Sequence, residues 1–207
     1  TIAVTAPFAL HLDDGTVLTP ADLVAQGAPQ ASTIAGDPNA ARLADRGPRK
    51  QLVMHFADRT GRFAIDWALT QLPDAKYLRG AITITALKAD EKLTRIDLFT
   101  ATAPQAEVMG RVNGSPIVAG PDYLQFESPL SKSEVGVDRA TIRMWIDRAL
   151  PIEKGKSVTY SAAIGVTRPG QLRRDFQTYL GEQRAHPYRP FLHYNSWYDI
   201  GYDTQYT

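Results

Sequence analysis

The residues best suited to chemistry lie close to the end of the chain, in His193-Tyr194-Asn195-Ser196-Trp197-Tyr198-Asp199-Ile200-Gly201-Tyr202. Trp and Tyr rings offer flat apolar faces that stack on the C–H surface of a sugar. Asn and Asp side chains bond to neighbouring hydroxyls. On an extended strand, Asn195, Trp197 and Asp199 are two apart and share one face. Asn195, Trp197, Tyr198, Asp199 and His193 are therefore candidate ligands for a polyol. The other reading is an aromatic strand packed on the body of the protein, and the residues alone leave both open. Glu127, in Leu124-Gln-Phe-Glu127-Ser-Pro129, follows an apolar strand. It would either cap a turn or reach a ligand or a neighbouring domain.

Other signals are weaker. Lys154-Gly-Lys-Ser157 resembles the end of a phosphate loop, but Leu150 stands where that loop needs its first glycine. No Gly-x-Ser-x-Gly nucleophile elbow occurs. The four histidines, His11, His55, His186 and His193, have no metal-ligand spacing. His55 falls inside a strand pattern and reads as a satisfied structural side chain. Trp67 and Trp145 alternate with polar neighbours and read as core, with a sugar platform as the other possibility. No metal and no cofactor is expected.

The elements that must position these residues change grammar along the chain. Residues 1–23 read as extended chain, a turn at Asp13-Asp14-Gly15 and a short helical turn at Thr19-Pro20. Residues 24–48 are rich in Ala, Gly, Pro and Ser without a period, which predicts a long surface loop. From about 50 to 167 the period is two, giving about eight short strands. Ile82 and Ile84 alternate with Thr83 and Thr85, and Ile142, Met144 and Ile146 with Arg143, Trp145 and Asp147. Turns are expected at Asp58–Gly61, Asp90–Lys92 and Asn113-Gly114. This pattern predicts an antiparallel sandwich. Leu172, Phe176, Tyr179 and Leu180 then mark one face of a helix, with Thr167 as its cap, Pro169 in its first turn and Pro187 as its stop. A strand is expected at His193.

Bulk properties narrow the class. The 207 residues carry a net charge of +1, which gives no pull toward nucleic acid or an anionic membrane. Absence of cysteine excludes disulfides and thiolate chemistry. No apolar run is long enough to span a membrane. The chain begins at Thr1 rather than Met, so processing is expected. A removed signal peptide, implying a periplasmic or secreted bacterial protein, and a trimmed chain both fit.

The segment Pro190-Phe-Leu-His-Tyr-Asn-Ser-Trp-Tyr-Asp-Ile-Gly-Tyr202 resembles the first barrel strand of α-galactosidase-type glycoside hydrolases, families 27 and 36 and their relatives, which carry an Asn-Ser-Trp or Cys-Ser-Trp-Tyr motif there. Many of the larger ones begin with a β-supersandwich joined by a helical linker to a (β/α)8 barrel. The resemblance implies a mainly β chain with a sandwich at 1–167, a linker helix at 168–187 and the start of a catalytic barrel at 188–207. It implies a retaining hydrolase of α-galactosides or α-N-acetylgalactosaminides, with Trp197 lining the sugar pocket and two aspartates on later strands doing the chemistry. A barrel needs about 250 residues, so this chain is expected to be an amino-terminal piece, silent alone. It would brace the barrel and wall one side of the pocket. The rivals are a carbohydrate-binding module and a structural interaction sandwich.

Overall fold

The computed structural model describes residues 1–186, 190 and 192–194. The described residues form fourteen strands, one α-helix and two short 3-10 turns. In order the strands and the helix are β1 (Ala3–Leu12), β2 (Val17–Leu18), β3 (Leu23–Ala25), β4 (Gln30–Ile34), β5 (Arg49–Asp58), β6 (Phe63–Gln71), β7 (Tyr77–Ala86) and β8 (Leu93–Thr102). Then follow β9 (Glu107–Val108), β10 (Ile117–Ala119), β11 (Asp122–Phe126), β12 (Lys132–Val135), β13 (Thr141–Asp147), β14 (Ser157–Val166) and α1 (Leu172–Gln183). Two antiparallel sheets face each other. One runs β12-β13-β8-β1-β2. The other runs β3-β5-β6-β7-β14-β11-β10-β9, with β4 also paired to β5.

Alternation decides what lies between them. Phe8 and Leu10 of β1, Ile96 and Leu98 of β8, and Ile142 and Met144 of β13 are fully buried from the smaller sheet. Phe63, Ile65 and Trp67 of β6 and Ile82 and Ile84 of β7 meet them from the larger one. Thr83 and Thr85 point outward and bond to Thr159 (2.9 Å) and Ser157 (2.8 Å) across β14. The Trp67 ring lies 5.6 Å from both Phe8 and Phe99. Gly80 makes room for it, because a Cβ there would stand 2.5 Å from Trp67 Cη2 and 2.6 Å from Phe99 Cζ. Leu98 and Phe99 are both buried although consecutive. Phe99 has φ 52°, a left-handed twist that breaks the alternation as a bulge does.

Two expectations need correction. Residues 24–48 are not one loop. They contain β3, β4 and a 3-10 turn at Leu43–Asp45. β4 is held to β5 by its backbone ladder, and Gln30 to Thr33 are exposed. Such an edge strand needs no apolar alternation, so none was there to read. The strands flanking Asp90–Lys92 form as expected and enter different sheets, β7 the large one and β8 the small one. The helix is shorter than 168–187. Thr167 does not cap it, for its hydroxyl donates to Pro121 O (2.9 Å). Pro169-Gly170 forms a turn first, with Gly170 at φ 70°. Asn113-Gly114 does turn, but within the longer 109–116 connection between β9 and β10. At Thr19 the short helical turn forms as expected, its hydroxyl and backbone N–H both donating to the Asp22 carboxylate (2.7 and 2.9 Å).

Candidate functional site

α1 lies on the outer face of the large sheet. Gly165 of β14 leaves that face flat, since a Cβ there would meet the Tyr123 ring at 2.3 Å. The ring of Tyr123 therefore rests over β14 and packs against the helix. Tyr179 sits 4.9 Å from Tyr77 and 5.6 Å from Tyr123, and Phe176 sits 5.1 Å from Tyr123. With Leu172 these rings form a second apolar cluster outside the sandwich core. Gly165→Val should push the Tyr123 ring off the sheet and unseat α1. The expected loss is about 2 kcal/mol in urea unfolding, as for an overpacked core, with loss of amide protection in α1.

Glu127, one residue past β11, is the polar centre of this junction. Tyr179 Oη donates to Oε1 (2.8 Å). Arg79 Nε and Ser161 Oγ each donate to Oε2 (2.6 Å). Arg79 Nη2 also donates to Ser161 Oγ (2.8 Å). The Glu127 side chain is 14% exposed. Burial and the Glu127 carboxylate push the Tyr179 phenol well above its ordinary value, so it stays a donor. On the helix's other flank, Tyr77 Oη donates to Glu182 (2.7 Å) and accepts from Gln183 Nε2 (2.9 Å). Burial, then Glu182, raises that phenol too.

The entry to α1 is latched. Arg168 N–H donates to Asp175 Oδ2 (2.8 Å) and its guanidinium pairs with the same carboxylate. These bonds hold the Asp175 carboxyl down at about 2. A carboxyl depressed when folded stabilises the fold above its unfolded pKa of about 3.9. That contribution fades as pH falls toward 2. An acid titration should therefore loosen the 168–175 turn between roughly pH 4 and 2, and Asp175→Asn should remove this step. Amide exchange of Arg168 and Gln171 reads it directly.

Beside α1 runs a groove of about 540 Å³, lined among others by Arg79, Gln125, Glu127, Pro129, Leu180 and Arg184. Glu127 forms part of its wall, with both oxygens already filled from within the chain. A ligand there would have to share them. His193 is exposed and lies in irregular chain with Leu192 and Tyr194. Asn195, Trp197, Tyr198 and Asp199 lie outside the described residues, as does Pro187. His55 is satisfied as expected, its Nδ1 being 2.6 Å from Asp66 Oδ1. Trp67 is 1% exposed and belongs to the core. Trp145 is half-buried on the outer face of the small sheet, and the Arg95 guanidinium covers its ring at 4.1 Å. Among the described residues no three His, Asp or Glu side chains converge on a metal site, and no helix is long and apolar enough to cross a membrane.

Comparison with solved structures returns α-galactosidases. The family-36 α-galactosidase AgaB from Geobacillus stearothermophilus matches over 77% of this chain and 29% of its own, with 11% identity and TM-score 0.44. AgaA from the same organism, solved with raffinose, matches over 79% and 30%, with 11% identity and TM-score 0.42. The α-galactosidase from Lactobacillus brevis matches over 89% and 33%, with 16% identity and TM-score 0.47. The chain thus spans about a third or less of the length of these proteins. No family model matches the sequence, and no curated protein matches it.

Sequence reasoning singled out Glu127 but not Arg79, Ser161 or the Tyr179 hydroxyl that fill it. The available signal was Arg79 itself, the single charged residue in β7, which requires a counter-charge on the same face.

Proposed function

We propose that this chain is the non-catalytic amino-terminal part of a retaining glycoside hydrolase acting on α-galactosides or α-N-acetylgalactosaminides. Residues 1–167 form its sandwich domain, 168–187 the linker and 188–207 the opening of a catalytic barrel. The observation that carries this reading is the seat of α1. The helix before the His193–Asp199 segment is fixed to the sandwich by Glu127, Arg79 and two tyrosines, so it serves as a strut rather than a tether. A strut is what a first barrel strand needs if its residues are to stay in register with a sugar pocket. Trp197 would stack on the sugar, with Asn195, Tyr198, Asp199 and His193 near its hydroxyls. Glu127 would act one step back, by holding the strut. The two catalytic carboxylates, which must stand about 5 Å apart in a retaining enzyme, are assigned to later polypeptide.

The test is hydrolysis of aryl α-galactoside and aryl α-N-acetylgalactosaminide by the full-length polypeptide. Turnover of one of them is expected, with none from residues 1–207 alone. Trp197→Ala should lower kcat/KM about 100-fold, since a lost stacking face of about 2.7 kcal/mol corresponds to two decades. A full-length polypeptide inert toward both glycosides would sink the reading.

A further inference from the structure

A cavity of about 370 Å³ opens on the Tyr77 flank of α1, lined among others by Lys76, Tyr77, Tyr123, Val166, Thr178 and Glu182. It lies at the small end of ligand pockets, with room for one ring rather than a chain. Folding leaves several of its polar groups unused. Tyr123 is 2% exposed, yet none of the described residues hydrogen-bonds to its hydroxyl. That hydroxyl lies over Gly165, where a Cβ would stand 2.4 Å from it, and so beside Val166 of the cavity wall. Burial, then the Glu182, Asp175 and Glu127 carboxylates, push the phenol well above its ordinary value, so it stays a donor. Buried polar groups are normally paired, and one that is not calls for a cause. Glu182 Oε2 accepts from Tyr77 (2.7 Å), while Oε1 accepts from none of the described residues. Lys76 is exposed and makes no ion pair among the described residues.

The chemistry of the ligand follows from these groups. Arg168 and Asp175, also in the wall, neutralise each other. What remains is one cation, Lys76, and two carboxylates, Asp74 and Glu182. An anion would meet the carboxylates and a cation would meet Lys76, so a neutral ligand fits best. It must donate to Glu182 and accept from Tyr123 and Lys76, and vicinal hydroxyls on one small ring do both. Its C–H face has Val166 and the tyrosine rings to rest on. We propose that this cavity binds one neutral pyranose unit, held by Tyr123 Oη, Lys76 Nζ and Glu182 Oε1. The site is separate from the pocket assigned to Trp197 and does not depend on the glycosidase reading.

The test adds methyl α-galactopyranoside or methyl α-glucopyranoside to the full-length polypeptide and follows amide exchange over residues 74–77 and 175–182. A Kd on the order of 1 mM is expected, the ordinary yield of a ligand this small. One of the sugars should slow exchange there at least about threefold. Lys76→Met and Tyr123→Phe leave the tyrosine rings in place, and each should weaken the sugar's hold about tenfold. Exchange without sugar shows that α1 keeps its seat in both variants. Slowing that persists in both variants comes from sugar bound elsewhere and overturns the proposal. No slowing by either sugar at about 100 mM, where a site of that affinity is filled, means that the cavity holds water only and overturns it too. Glycoside hydrolysis is assayed on the same samples. Slowing that the variants lose, without turnover, keeps this site and rejects the glycosidase. Turnover without slowing rejects this site and keeps the glycosidase reading.

Discussion

Glu127→Ala should destabilise the chain by about 3 kcal/mol and release α1 from the sheet. The substitution leaves three donors without their acceptor. Tyr179 is 2% exposed, so its hydroxyl has given up nearly all its hydration, and an unmet buried donor costs about 1–3 kcal/mol. Arg79 is 21% exposed and regains part of its hydration, which keeps the total at the low end for a broken buried ion pair. Glu127→Gln preserves an acceptor for Tyr179 while removing the charge opposite Arg79, and should cost about half as much. Tyr179→Phe removes the helix-side bond alone, at about 1 kcal/mol. The double mutant Glu127→Ala/Tyr179→Phe should be less destabilised than the sum, because the second change removes the donor that the first one stranded. Urea unfolding gives the energies. Amide exchange over Leu172–Gln183 shows whether the loss is local to the helix. Strict additivity would mean that the Glu127–Tyr179 bond does not hold the helix.

How much of this arrangement the sequence discloses depends on the range of the interaction. The sandwich is legible because its signal is local. Ile82 and Ile84 against Thr83 and Thr85, or Ile142, Met144 and Ile146 against their polar neighbours, announce a buried and a free face within a few residues. β4 is illegible because four of its five residues are exposed and its backbone alone carries the pairing. Sheet membership on either side of Asp90–Lys92 is equally illegible. A turn between two alternating strands looks the same whether they pair or cross to opposite sheets. Here Glu91 is pinned by Arg62 and bridges to Ile152, contacts that lie far off in sequence. Glu127 is visible as an acid at a strand end, but its partners stand 48, 34 and 52 positions away. No spacing rule reaches them. The helix face, by contrast, is plain from Leu172, Phe176 and Tyr179, although its hydroxyl chemistry is not.

Trp67→Ala should be the most damaging single change in the sandwich, at about 3–5 kcal/mol. The ring is the largest fully buried side chain and bridges the two sheets, touching Phe8 and Phe99 from the smaller one. Its size has a counterpart in Gly80, whose missing Cβ provides the space that the ring edge and Phe99 occupy. The two positions therefore solve one packing problem together. Gly80→Ala alone should cost about 2–3 kcal/mol, because β7 and its neighbours cannot yield without disturbing two ladders. Trp67→Phe alone should cost about 2 kcal/mol through the space it opens. Combined, the new methyl enters part of that space, so the pair should cost at least 1 kcal/mol less than the sum. Phe99, which also faces Gly80, keeps the recovery partial. Blue-shifted tryptophan emission from Trp67 should disappear in the Phe variant, which confirms its buried setting independently of the energies. Additive costs in urea unfolding would mean that Gly80 is glycine for some reason other than this ring.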